Sequence, residues 1–428
     1  MDAFTPFRVL GGNIAGLIHY LSFVEKRHAE STPRLFVDIT EVHIHDNGTG
    51  VPRVTNGIRH NLSKFNLPYK IIEVYAKPHN QGFFDAANDK PIKIAKGDFF
   101  FSLDFSKFKI PQNKSYIKKM KKLGIPCWFF LHDMIPISHP QYCKAEDISS
   151  FKKWIDIVKN FDGFIANSRS TEDEMKAWLK TQLDGTYNKN IRSGYIHIAS
   201  TFKQHETELT SSLEKSGRLQ FLAVSTVEPR KRYDLIVEAF TRLWKENIDV
   251  SLHIVGKPGW NNEKVIQQIR SNAEYGKRLV WHDKFISDEE LGRLYAESAA
   301  LIFASDTEGF GVPLIEAACY GKSLIVRDIP IFREVTNGEA TFFKGDTAND
   351  LANAIKDWIP LYKLGKVSSP SIKLYTWKES TAETIKILMA DSRQQTADSR
   401  QQTAELKLNC IKRQAVFAFA PGTYTEAA

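Results

Sequence analysis

Between residues 305 and 317 the chain reads Ser-Asp-Thr-Glu-Gly-Phe-Gly-Val-Pro-Leu-Ile-Glu-Ala, and this segment holds the residue types best suited to chemistry. It follows an apolar run and opens a helical one. Gly309 and Gly311, on either side of Phe310, let backbone N–H groups approach a ligand closely, and the helix N-terminus behind them favours an anion. Glu308 sits in the loop, within reach of a hydroxyl. Glu316, eight residues on, falls about one turn into the helix, where a carboxylate can accept from vicinal hydroxyls. A capped helix with a glycine turn would need neither glutamate in particular. A second group, Glu228-Pro229-Arg230-Lys231, places two cations after a strand-like run, where they can neutralise a pyrophosphate or simply form a solvated basic turn. His132, in His132-Asp133-Met134-Ile135-Pro136, ends another apolar run; such a histidine is either structural or a contact to substrate. His43 and His45 have metal-like spacing but no third ligand, and read as loop residues.

These residues require a scaffold that brings several strand ends together. Strand-like runs occur at 34–40, 69–76, 98–105, 125–133, 162–168 and 195–199, with helical runs at 116–123, 148–161 and 170–183 between them. After a polar segment at 205–217 the alternation restarts. Strands are expected at 218–226, 250–256, 279–285, 300–305, 324–327 and 341–343, and helices at 234–246, 288–298, 313–320 and 348–359. Near-continuous apolar strands separated by helices predict parallel sheets covered on both faces. The fold class is therefore α/β: two Rossmann-like doubly wound domains facing across a cleft, with ligands at the carboxyl ends of their strands. The boundaries are a helical extension at 1–33, a first domain at 34–204, a linker at 205–217, a second domain at 218–389 and a tail at 390–428. Apolar residues at 14, 17, 18, 21 and 24 give the extension one greasy face, for packing on the next domain or docking on a membrane surface. The tail repeats Ala-Asp-Ser-Arg-Gln-Gln-Thr twice from Ala390, without the large apolar pair a coiled coil needs.

With 428 residues, 42% of them hydrophobic, the chain has material for two cores. Its 58 Lys and Arg against 50 Asp and Glu give a net charge of +8. That excess reads either as a solvated surface or as attraction to phosphates, on a nucleotide or on anionic lipid heads. The basic run at 118–122 lacks the interleaved aromatics of a single-strand track, so nucleic acid is not an expected partner. Four cysteines without paired spacing fit reduced thiols better than disulfides or a zinc site. No apolar stretch is long enough to cross a membrane and no secretory leader pattern is present, so the expected location is cytoplasmic.

E-G-F-G-x-x-x-x-E, ending in Glu316, resembles the E-x7-E signature of glycosyltransferase family 4, a retaining family of the GT-B fold. Glu228-Pro229-Arg230-Lys231 is similar to that family's diphosphate-binding loop, His132–Pro136 to its H-D-x-I-P segment, and Asn47-Gly48-Thr49-Gly50-Val51-Pro52-Arg53-Val54 to its first glycine-rich loop. Ala166-Asn167-Ser168 and the stretch from Ile329 to Val335 also match, so the resemblance runs from about residue 34 to about 388. It implies a metal-independent hexosyltransferase that takes a nucleotide sugar as substrate and needs no cofactor. Arg230 and Lys231 would bind diphosphate, Glu308 the transferred sugar and Glu316 the ribose. His132 would contact the sugar near the reacting carbon, and Gly50, Gly309, Phe310 and Gly311 would line the donor site. The family's usual arginine near the start of the second domain is replaced by Ser225-Thr226, so that contact is either absent or supplied by Arg230.

The first-domain motifs look like those of bacterial mannosyl- and rhamnosyltransferases that build surface polysaccharides such as lipopolysaccharide O-antigen. GDP-mannose is thereby the first donor implied, with a UDP-hexose or dTDP-rhamnose left open. The implied acceptor is a glycan or lipid-linked glycan, with peripheral contact at the inner face of the membrane. A nucleotide-sugar epimerase on the same fold, or a non-catalytic partner subunit that kept it, are the alternatives.

Overall fold

The structure, a computed structural model, describes residues 32–46, 50–182, 185, 187–200, 202, 217–367 and 369–390. The expected N-terminal helix, most of the linker and the tail repeat lie outside the described residues. The chain divides into residues 1–381 and 382–428. Of the latter only 382–390 are described, all helical.

Within residues 1–381 two sheets form. The first holds β1 (Arg34–Asp38), β2 (Lys70–Ala76), β3 (Phe83–Asp85), β4 (Phe99–Ser102), β5 (Cys127–Leu131), β6 (Gly163–Ala166) and β7 (Arg192–Tyr195), in the order β3-β2-β1-β4-β5-β6-β7. The second holds β8 (Leu219–Val224), β9 (Val250–Val255), β10 (Leu279–His282), β11 (Ala300–Phe303), β12 (Ser323–Arg327) and β13 (Thr341–Phe343), in the order β10-β9-β8-β11-β12-β13. Every pairing is parallel except β2–β3. This is the doubly wound class expected from the sequence. The central strands are apolar on both faces, as burial under two helical layers demands: every residue of β4, β5, β6 and β11 is buried.

Three differences from the sequence reading have local causes. The antiparallel edge β3 was not expected. The segment joining it to β2 is too short for a crossover and turns through His79, Asn80 and Gly82, all with positive φ. The last strand of the first sheet lies at Arg192–Tyr195 rather than 195–199, because it takes its register from Gly163–Ala166; Ile196, Ile198 and Ala199 are buried but continue without strand structure. The glycine-rich loop is shorter than the motif suggested. A helix starts at Val51, with Pro52 in its first turn, where the missing N–H costs nothing, and buries Val54, Ile58 and Leu62 at four-residue intervals.

The two sheets point their carboxyl ends at each other. Ser168 Oγ and Thr171 Oγ1 of the first domain donate to the Gly309 carbonyl of the second, at 2.8 and 3.2 Å. The Glu334 carboxylate accepts from the Arg169 and Ser170 amides at 2.7 and 2.8 Å, closing the N-terminus of the helix Arg169–Lys180 from across the cleft.

Candidate active site

After β8 the chain makes a short turn through Pro229–Lys231 and enters the helix Tyr233–Lys245. The turn ends on Arg232, held in the left-handed region at φ 54°. This brings Arg230 and Lys231 over the loop that follows β11, where both meet Glu308. Arg230 Nη1 donates to Glu308 Oε2 at 2.8 Å and to the Thr307 carbonyl at 3.0 Å; Lys231 Nζ donates to Glu308 Oε1. Arg230 Nε also lies 2.6 Å from Glu228 Oε1. The Lys231 and Glu308 side chains are only 9% and 8% exposed. Burial alone would raise the Glu308 carboxyl, but the charges of Arg230 and Lys231 prevail and hold it down at about 2. Burial, followed by the Arg230 charge, pushes Lys231 below its ordinary value. The cluster is thus a preorganised pair of buried cations that share an ionised Glu308, with Glu228 as a second carboxylate on Arg230.

Two glycines of the same loop are there for reasons of space and backbone shape. A Cβ on Gly309 would sit 2.0 Å from the His132 carbonyl oxygen, so only glycine lets the loop dock on the turn after β5. Gly311, at φ 96°, caps the helix Val312–Cys319 in a conformation L side chains avoid. Between them Phe310 is buried, its ring centroid 5.7 Å from that of His197.

Glu316 is buried in that helix, accepting from the Tyr295 hydroxyl at 2.9 Å and from Arg53 Nη1 at 3.1 Å. Burial raises its carboxyl, with the Tyr295 bond and the Arg53 charge opposing. Arg53 comes from the first turn after Gly50, which itself sits at φ 57° with open space where a Cβ would be. The arginine therefore crosses the cleft to the carboxylate in the second domain.

His132, at the end of β5, is buried. One ring nitrogen bonds to the Leu103 carbonyl, and Nε2 has no hydrogen-bond partner among the described residues. Burial pushes its imidazole down to about 3, so it is neutral at ordinary pH. With the proton held towards Leu103, Nε2 is left as an acceptor.

The structure therefore gathers Glu308, Arg230, Lys231, Gly309 and His132 around one loop and places Glu316 and Gly50 on the same cleft, linked through Arg53. It adds partners that the sequence reading missed. Arg53 and Glu334 lie inside motifs that were recognised, but nothing assigned them a contact. Asp306 lies in the recognised 305–317 segment but was given no contact, and Tyr142 and Arg327 had no local signal; Tyr142 and Asp306 meet across 164 residues. His43 lies in the short helix Thr40–Ile44 and stacks on Tyr75 at 4.2 Å, and no group of His, Cys, Asp and Glu among the described residues could hold a metal ion. Ser225 meets the Tyr233 hydroxyl at 2.9 Å, and Thr226 is exposed.

Two facing doubly wound domains with this cleft define the GT-B class of fold. The solved structure of Anabaena Alr3699/HepE in complex with UDP and glucose aligns with a TM-score of 0.54 at 13% identity, over 85% of this chain and all of that one. Residues 204–367 match the family described as glycosyl transferases group 1. It is 33% identical over 394 residues to the serotype-specific mannosyltransferase WbdA of Escherichia coli, covering 85% of this chain and 45% of that protein. It is also 28% identical over 170 residues to the O-antigen chain mannosyltransferase RfbU of Salmonella typhimurium, covering 37% and 47%. The chain spans about half the length of the curated relatives it matches.

Proposed function

We propose that the chain is a retaining mannosyltransferase that moves mannose from GDP-mannose to a glycan or lipid-linked glycan in O-antigen or related polysaccharide synthesis. The observation that carries this reading is the buried Arg230–Glu308–Lys231 cluster at the carboxyl ends of β8 and β11, beside a glycine-opened helix N-terminus. Such a corner suits a substrate whose diphosphate leaves with growing negative charge. The identity to mannosyltransferases over most of the chain supports the choice of sugar.

In this reading Arg230 and Lys231 exchange part of their hold on Glu308 for the departing diphosphate. Glu308 and the Nε2 acceptor of His132 hold hydroxyls of the transferred sugar. Attack comes from the face the diphosphate leaves, and the diphosphate helps remove the acceptor proton, so configuration is kept. The protein supplies chiefly position and electrostatics. Two side-chain cations take the place a divalent metal would have, and no cofactor is required. The enzyme works in the cytoplasm, with its basic surface at the inner face of the membrane.

The test is transfer from GDP-mannose, UDP-glucose and dTDP-rhamnose to a mannoside acceptor in excess EDTA, with product configuration read by NMR. An α-linked product from GDP-mannose is expected. Epimerised donor without transfer, or activity that EDTA abolishes and Mn²⁺ restores, would overturn the reading.

Glu316 is assigned to the ribose hydroxyls, for which it must give up Arg53. Glu316→Ala is expected to weaken GDP about 10- to 150-fold in calorimetric titration, the worth of a charge-assisted hydrogen bond. Unchanged GDP affinity would remove Glu316 from the donor site.

A further inference from the structure

Beyond the carboxyl ends of β11, β12 and β13, on the far side of the Glu308 loop from β8, lies a cavity of about 630 Å³. It falls within the size range of small-ligand clefts, ~300–1,000 Å³. Its floor comes from the second domain. Asp306, two residues before Glu308, receives Arg232 Nη1 at 3.3 Å and Arg327 Nε at 3.2 Å. Arg327 is 6% exposed and anchored by the Ala304 and Gly345 carbonyls at 2.9 and 2.7 Å and by Asp346 at 2.7 Å. Its Nη2 has no hydrogen-bond partner among the described residues. The wall comes from the first domain: His139 and Tyr142 present rings 16° from parallel, 6.4 Å apart, and the Tyr142 hydroxyl bonds to Asp306.

We infer that this cavity is the subsite for the neutral, polyhydroxylated end of the acceptor glycan. The inference rests on the glycosyl-transfer reading and places the second substrate beside the first. Charge argues for a neutral ligand. Arg232, Arg327 and Lys344 are matched by Asp306, Asp328 and Asp346, so the lining carries no net positive charge to draw an anion in. Vicinal hydroxyls, by contrast, can accept from an arginine and donate to the neighbouring carboxylate without breaking that balance. The near-parallel rings supply flat apolar faces for the C–H side of a sugar. The position fits as well. Asp306 belongs to the same loop as Glu308, and its amide bonds to the Arg230 carbonyl at 2.9 Å, so a glycan seated here ends next to the sugar being transferred. None of these residues is among those assigned to the donor in that reading, so donor and glycan can be bound together.

The full chain, saturated with GDP, is titrated with methyl disaccharides of mannose, glucose, galactose and rhamnose, and separately with inorganic phosphate. At least one disaccharide is expected to bind. His139→Ala and Tyr142→Ala should each weaken it about tenfold or more, as losing an aromatic contact of ~1.4 kcal/mol does. Tyr142→Phe, which keeps the ring, should retain most of the affinity. Unchanged GDP affinity in all three variants shows that they are folded. Silence from every disaccharide, disaccharide binding that the ring variants leave unaltered, or phosphate binding that they weaken instead, overturns the subsite. The same disaccharide titrations repeated without GDP read the cavity by itself, so failure of GDP to bind the unmodified chain counts against the donor reading alone.

Discussion

Lys231→Ala is expected to lower turnover with GDP-mannose by at least about 10²-fold, the usual cost of deleting one preorganised charge from the site where a leaving group develops its own. The lysine is buried and fixed by Glu308 and lies 5.4 Å from the Phe303 ring centroid, so water cannot readily replace its charge. The loss should fall mainly on kcat. Arg230 still neutralises part of the ground-state diphosphate, whereas the extra charge of the transition state loses one of its two cations. GDP affinity should therefore fall much less than turnover does. Equal losses in both would make Lys231 a binding residue only, and wild-type turnover would remove it from the mechanism. Far-ultraviolet circular dichroism checks the fold, since the alanine leaves Glu308 with its bond to Arg230.

How much of this was legible in the sequence depended on how local each cause was. Apolar runs such as Phe99–Ser102 and Ala300–Phe303 declare buried parallel strands because both their faces are covered, and the doubly wound class followed from their alternation with helices. The Glu308–Glu316 spacing was legible because strand, loop and helix are contiguous there. The helix Val51–Leu62 was not, because Val51–Val54 were read as part of the glycine-rich loop; yet Pro52 stands in the helix's first turn, and a Cβ on Gly57 would strike the Trp377 indole at 2.2 Å. No local pattern could have announced that distant contact. The same holds for the cleft's polar pairs: Arg53 meets Glu316 across 263 residues and His197 hydrogen-bonds with Glu334 across 137, so each pair exists only once the two sheets face each other. Sequence motifs named the carboxylates, and tertiary structure chose their partners.

Glu308→Gln is expected to reduce turnover at least about 10²-fold while GDP binds as tightly as before or more tightly, the reverse of the pattern for a residue that holds the nucleotide. The amide keeps the shape of the side chain but leaves Lys231 without its ion-pair partner in a nearly closed site, whereas Arg230 keeps Glu228. A buried cation stripped of its partner destabilises the fold, typically by about 3–5 kcal/mol. An anionic ligand should restore much of that, so the variant's melting temperature should rise with GDP more than the wild type's does. Acid sensitivity gives an independent reading. The folded-state carboxyl lies at about 2, below its ordinary 4.5, so ionised Glu308 stabilises the protein above about pH 4.5, and that contribution is lost as pH falls towards 2. The glutamine variant should lack this part of the acid transition. Adding Lys231→Ala to Glu308→Gln removes the stranded cation, so the double variant should be more stable than the sum of the single losses predicts, the sign of direct coupling. Strict additivity together with near-normal turnover in Glu308→Gln would mean that the cluster is an ordinary buried ion pair and that the transferred sugar is held elsewhere.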